Sequence, residues 1–176
     1  MLFWHVGATI ALTRYAFRDE AMDLRFLALG AILPDLVDSP IGLVFWAELR
    51  TVRLAAHSLM FATVLLVVVI ATTRRGRPRK RWMPLAVGVL LHLVLDGMWR
   101  FPSTLWWPFL GWTFYATSFA AVGDYLTWLL TDLRTWGLEA AGLGYLVALA
   151  IRSDLRDPEA RRLLVTTGRV RAPIGR

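Results

Sequence analysis

Two apolar runs of membrane length flank a short, strongly basic segment, and this arrangement leaves the chain few ways to fold. Leu54 to Thr73 (LAAHSLMFATVLLVVVIATT) carries no Asp, Glu, Lys or Arg, and about 20 such residues are what a helix needs to cross the hydrocarbon core. Trp82 to Trp99 forms a second run with a tryptophan at each end, where an interfacial aromatic belt would lie. Between them Arg74, Arg75, Arg77, Arg79, Lys80 and Arg81 make one basic loop. With 57% hydrophobic residues and 9 tryptophans in 176 residues, the composition does not suit a soluble domain.

The rest of the chain extends this pattern. Leu2 to Phe17 is apolar and ends in the charged turn RDEAMDLR; a second stretch runs from Leu24 to about Leu33. Pro34 disfavours helical geometry at Leu33, and Pro40 predicts a second break. After the fourth run comes FPSTLWWPFLGWTF, aromatic and proline-containing, which suits an interfacial or re-entrant segment. Phe119 to Leu130 is a short apolar helix, and Trp136 to Ile151 forms a last crossing. The expected fold is all-α, a polytopic membrane helical bundle of about five embedded helices plus interfacial segments. Residues 1–152 form the transmembrane domain, and 153–176 a basic cytoplasmic tail.

The net charge of +7 is spread in a way that argues against nucleic acid. It sits in the short loop and in the tail (Arg152, Arg156, Arg161, Arg162, Arg169, Arg171 and Arg176), as topology determinants beside anionic lipid do. The chain has no cysteine, which excludes disulfides, thiolate metal sites and a cysteine nucleophile. The apolar start lacks a basic leader and carries His5, so it reads as a retained span rather than a cleaved signal.

Placing the basic loop inside the cell orients everything else. Only Arg50, Arg53, Arg100 and Arg134 of the 20 basic residues then fall outside, as the charge rule expects. The N-terminus lies outside and the C-terminus is cytoplasmic. His5, Asp35, Asp38, His57, His92 and Asp96 all land in the outer half of the membrane, although none of them entered the orientation argument. An ionisable group at bilayer depth costs roughly 2.5–3.5 kcal/mol on insertion scales, so such residues face a protein interior and have a function.

These six are metal-ligand types. His92 and Asp96 are spaced to project from one helix face, and Asp35 and Asp38 follow the proline turn. His57 and His5 complete a mixed nitrogen and oxygen shell suited to zinc, or alternatively manganese, rather than calcium. Asp38 is read as a further ligand or as a general base, and Arg53 either snorkels to headgroups or clamps a substrate phosphate. Ser58 beside His57 lacks triad geometry. Asp124 and Glu139 have no matching partner and read as structural or interfacial. The structural alternative is that His92 and Asp96 merely tie helices together, while Asp35 or Asp38 caps a helix.

In order, PDLVDSP, RLAAHSLMF, HLVLDGMW and TLWWPFLGW resemble the membrane-bound metal-dependent hydrolase family of bacteria and archaea (YdjM-like), over roughly residues 1–115. That family also has an early histidine, matched by His5. Many members carry a histidine just before the arginine matched by Arg53, where this chain has Val52. Many carry another after the proline–aspartate motif, and it is missing here. The resemblance implies one or two metals and a ligand pattern similar to zinc phospholipase C and single-strand nucleases, which hydrolyse phosphoesters.

The expected function is therefore membrane-integral, metal-dependent hydrolysis of a phosphoester in a lipid or lipid-linked substrate at the outer leaflet. His5, Asp35, Asp38, His57, His92 and Asp96 would bind metal, with Asp38 and Arg53 taking catalytic parts. Membrane lipid is the expected partner. The rivals are a scaffold or accessory subunit whose polar cluster fixes helix packing, and an ion transporter.

Overall fold

Helix α1 (Leu2–Phe17) and helix α2 (Leu24–Val44) open the chain in the computed structural model. Residues 1–174 are described; Gly175 and Arg176, the end of the expected tail, lie outside the described residues. A short α3 (Trp46–Leu49) and a 3-10 turn (Ala55–His57) lead into α4 (Leu59–Thr72) and α5 (Arg77–Leu95). A second 3-10 turn (Met98–Arg100) and α6 (Pro102–Leu105) precede α7 (Val122–Thr131), α8 (Leu133–Arg152) and α9 (Pro158–Thr167). No strand occurs among the described residues, so the fold is all-α.

Among the described residues, only α2 passes by length and composition as a membrane-crossing helix on its own. The reason lies at the start of the other two candidates. Leu54–Ser58 is spent on the 3-10 turn and a cap, which leaves α4 with 14 residues. The first turn of α5 is built from the basic loop itself, Arg77 to Arg81. The five crossings expected from the sequence are thus not all visible as separate long apolar helices. Val64, Val67, Val68 and Ile70 of α4 point their apolar side chains outward.

The expected break at Leu33 does not occur. Helix α2 runs on through Pro34 and Pro40. A proline removes one helical N–H and crowds the carbonyl four residues back, a defect that neighbouring groups re-satisfy in helices packed inside a bundle. Here Pro34 is fully buried, and the next carbonyl along from the one it strips, that of Ala31, receives a hydrogen bond from α5.

Helices α2 and α5 run side by side, backbone against backbone. A Cβ on Gly30 would lie 2.1 Å from the Leu85 carbonyl oxygen, and one on Gly88 would lie 2.5 Å from that of Leu27. Small residues permit this approach, as in other closely packed membrane helices. Leu27, Ala31, Ala86 and Val89 fill the seam around the glycines. Gly88→Ala is therefore expected to destabilise by about 1–3 kcal/mol, the usual cost of overpacking. Thermal unfolding in detergent checks this, and an unchanged midpoint would mean that the helices part at no cost.

Helix α8 closes on α1 in the same way, with Phe3 N–H donating to Glu139 at 2.7 Å. The chain after α8 turns back onto α1 and α2. Leu24 N–H donates to the Gly168 carbonyl at 2.9 Å, Arg14 donates to the Ala172 carbonyl at 2.7 Å, and Arg25 donates to Val165. Asp157 caps α9, and the Glu159 N–H, then Arg171, hold its carboxyl below the ordinary range.

Candidate metal centre

All three histidines are buried and meet in one place, each from a different element. His5 comes from the first turns of α1, His57 from the 3-10 turn before α4, and His92 from the last turn of α5. The His5 and His92 rings stack with centroids 4.2 Å apart. The Nε2 atoms of His57 and His92 are 3.2 Å apart. Asp35, next to the buried Pro34 of α2, brings Oδ1 to 3.4 Å from His57 Nε2 and 3.8 Å from His92 Nε2. Asp96, the C-cap of α5, brings Oδ1 to 3.1 Å from His5 Nε2.

The opposite nitrogen of each ring is anchored. His92 Nδ1 lies 2.7 Å from the Ala31 carbonyl oxygen, and His5 Nδ1 bonds to the Met1 carbonyl oxygen. A carbonyl only accepts, so both Nδ1 atoms carry the proton. His57 Nδ1 lies 2.7 Å from Asp38 Oδ2, and a carboxylate likewise accepts. In the neutral rings all three Nε2 atoms are then lone pairs, and all three face the same space. Outer groups that fix the tautomer and aim the free nitrogen inward are the usual surroundings of metal-binding histidines.

Without a positive charge between them these lone pairs repel. His57 and His92 face each other nitrogen to nitrogen. His5 Nε2 is a buried atom with no hydrogen-bond partner although Asp96 is 3.1 Å away. Donors bound tetrahedrally at about 2.0–2.1 Å sit about 3.3–3.4 Å apart, and the separations here of 3.1, 3.2 and 3.4 Å match that spacing. Two overlapping sets could hold an ion, His5 with His92 and Asp96, and Asp35 with His57 and His92; in each the ligand atoms lie within 4.8 Å of one another. His92 is common to both. The donor set fits a divalent metal of the zinc or manganese type.

Asp38 stands apart from both sets. Its two oxygens accept from Leu54 N–H (2.8 Å), Ala56 N–H (3.1 Å) and His57 N–H (3.1 Å) as well as from His57 Nδ1. It thus folds the 3-10 turn around itself and aims the His57 ring. Ser58 is occupied too: its hydroxyl donates to the Ala55 carbonyl and accepts from Phe61 N–H as the cap of α4. Arg53 donates from Nε to Asp96 Oδ2 at 2.7 Å and lies over the Phe101 ring. Asp35 and Arg53 are about a third exposed (33% and 32%), while the histidines, Asp38 and Asp96 are buried, so the centre opens on the side of those two residues.

Three participants were invisible in the sequence: the backbone carbonyls of Met1 and Ala31, and the pairing of Arg53 with Asp96. No spacing rule points to a carbonyl. Arg53 and Asp96 belong to segments that only the docking of the 3-10 turn against the end of α5 brings together. Glu139 serves the centre indirectly, by tying α8 to the first turn of α1 next to His5.

Residues 3–159 match the family model described as YdjM inner membrane protein. No curated protein and no solved structure matches the chain.

Proposed function

The chain belongs to the YdjM inner membrane protein family, and we propose that it is a polytopic membrane hydrolase that uses divalent metal to cleave a phosphoester in a lipid or lipid-linked substrate. The observation that carries this reading is the set of three imidazole Nε2 lone pairs turned on one another beside two carboxylates. Three carboxylates (Asp35, Asp38 and Asp96) stand there against two cations, the Arg53 guanidinium and the Met1 ammonium 3.6 Å from Asp35, and the remaining negative charge favours a bound cation. A purely structural cluster would pair donors with acceptors; with its rings neutral, this one sets acceptors against acceptors.

His5, His57, His92, Asp35 and Asp96 would hold the metal, zinc or alternatively manganese. When bound, such an ion polarises a phosphoryl oxygen and lowers the pKa of a coordinated water toward neutrality. The chain supplies the rest. Asp38 keeps the His57 ring in its tautomer and orientation. Arg53, fixed by Asp96 through Nε and a third exposed, would offer its remaining N–H groups to charge developing on a phosphate. In hydrolysis the water oxygen bonds to phosphorus, the ester P–O bond breaks, and the proton passes to the departing alkoxide.

The membrane setting gives the substrate class. Basic residues gather on the loop before α5 and on the C-terminal segment, so that face is cytoplasmic and the metal centre lies in the outer half of the bilayer. A lipid with its head at the outer interface then reaches Asp35 and Arg53 without leaving the membrane.

The test is to incubate the purified protein with lipid phosphomonoesters and phosphodiesters, before and after chelation and after return of zinc or manganese. Phosphate or alcohol release that chelation abolishes and metal restores is expected. A fully metallated protein that cleaves none of the panel would overturn the hydrolase reading and favour a structural metal.

A further inference from the structure

At the opposite end of the bundle lies a second set of features that the metal centre does not use. The start of α2, the start of α5 and the end of α9 flank an open cavity of about 460 Å³ lined by Arg25, Lys80, Arg81, Arg169 and Asp23. Four cations thus face one carboxylate. That carboxylate is already committed: Asp23 accepts from Arg25 at 2.9 and 2.6 Å, with Arg81 at 3.8 Å. Lys80 and Arg169 make no side-chain hydrogen bond or ion pair among the described residues. Among the described residues the cavity holds surplus positive charge, with Asp23 its one carboxylate.

A second cavity, of about 440 Å³, lies on the other side of Arg25. Ile10, Leu24, Leu146, Leu149, Leu164 and Val170 make it almost wholly apolar. Arg25 lines both spaces and donates to the Val165 carbonyl, so a single side chain and one turn of α9 separate a basic compartment from an apolar one. Arg81 and His92 share α5, which puts this end about 17 Å from the metal centre at 1.5 Å per residue.

We infer that this end of the bundle binds an anionic phospholipid, its phosphate in the basic cavity between α2, α5 and α9 and an acyl chain in the apolar cavity beside it. The charge surplus selects a phosphate, and the adjoining apolar space selects an amphiphile over a free anion. Juxtamembrane clusters of basic residues attract anionic headgroups electrostatically, and here the cluster is folded into a cavity. Because Arg169 lines the basic space and Leu164 and Val170 line the apolar one, the bound lipid also holds the C-terminal segment against α1 and α2.

The experiment uses the full chain in neutral detergent, titrated with phosphatidic acid, with phosphatidylcholine of the same acyl chains, and with inorganic phosphate, and read by native mass spectrometry and calorimetry. Phosphatidic acid is expected to bind well above phosphatidylcholine. Removing two charges in the Lys80→Gln, Arg169→Gln double variant should weaken phosphatidic acid about thirty-fold. Ala28→Phe, which fills the apolar cavity, should weaken the lipid about ten-fold and leave inorganic phosphate unchanged. Should the double variant not fold, Lys80→Gln alone, at an exposed position, should still cost about five-fold. Equal binding of the two lipids, or a preference untouched by the charge variants, overturns the proposal. So does inorganic phosphate binding as tightly as the lipid with Ala28→Phe affecting neither, since the ligand would then be a free anion.

Discussion

His92→Ala is expected to empty the whole centre, while His5→Ala empties only part of it. His92 Nε2 belongs to both ligand sets, whereas His5 and Asp96 complete one, and Asp35 and His57 the other. Loss of an outer group around a metal costs about 10–100-fold in affinity; loss of a ligand shared by two sets must cost more than that. Elemental analysis of the purified variants should show His92→Ala with almost no zinc or manganese, and His5→Ala with a reduced amount. Stability should follow. A metal at a thousand times its dissociation constant stabilises by about 4 kcal/mol, so chelation should lower the unfolding midpoint of the native protein markedly. It should leave that of His92→Ala unmoved. Full metal content in His92→Ala would remove the basis for a shared centre.

The removal of His92 should also relieve a conflict. In the metal-free chain, the Nε2 atoms of His57 and His92 face each other as lone pairs at 3.2 Å. Alanine at position 92 separates them, though it strips the Ala31 carbonyl of its buried donor. The variant's stability is therefore expected to lie near that of the chelated native protein.

Much of this centre was legible in the chain. Three histidines and two aspartates in apolar surroundings, folded by the charge rule onto one side of a membrane, are enough to expect their meeting. Chain order and ligand chemistry are properties of residue types, and residue types can be read. The reading failed where backbone geometry decides. Pro34 and Pro40 predict breaks because a proline lacks its N–H, but α2, packed along α5 through Gly30 and Gly88, continues as a helix past both. His57 was expected inside a long membrane helix. It lies instead on a 3-10 turn, where the two oxygens of Asp38 take the N–H groups of Leu54, Ala56 and His57. The same contact changes the reading of Asp38. From spacing it is a ligand or a base; in the fold its oxygens are turned to the backbone. The C-terminal segment, read as a polar tail, supplies the helix α9 and the carbonyls that bind Arg14 and Arg25. Its charges say where it sits relative to the membrane, and nothing in its composition says what it docks against.

Asp38→Asn separates the two roles that Asp38 has been assigned. The carboxylate accepts from Leu54, Ala56 and His57 N–H and from His57 Nδ1. An asparagine keeps one acceptor oxygen and turns an NH₂ toward donors, so at least one buried N–H loses its partner and His57 loses the group that fixes its tautomer. Breaking a buried charged network of this kind costs about 3–5 kcal/mol, and the released ring should bind metal about 10–100-fold more weakly. The expected signature is a lower unfolding midpoint together with weaker metal binding, with activity that excess zinc or manganese partly restores. A general base would behave otherwise. Asp38→Asn would then keep its metal and its stability and lose turnover that no added metal returns, and that result would move Asp38 from positioning His57 to the chemical step itself. The contrast holds because stability and metal affinity are measured without substrate, so neither depends on the identity of any substrate.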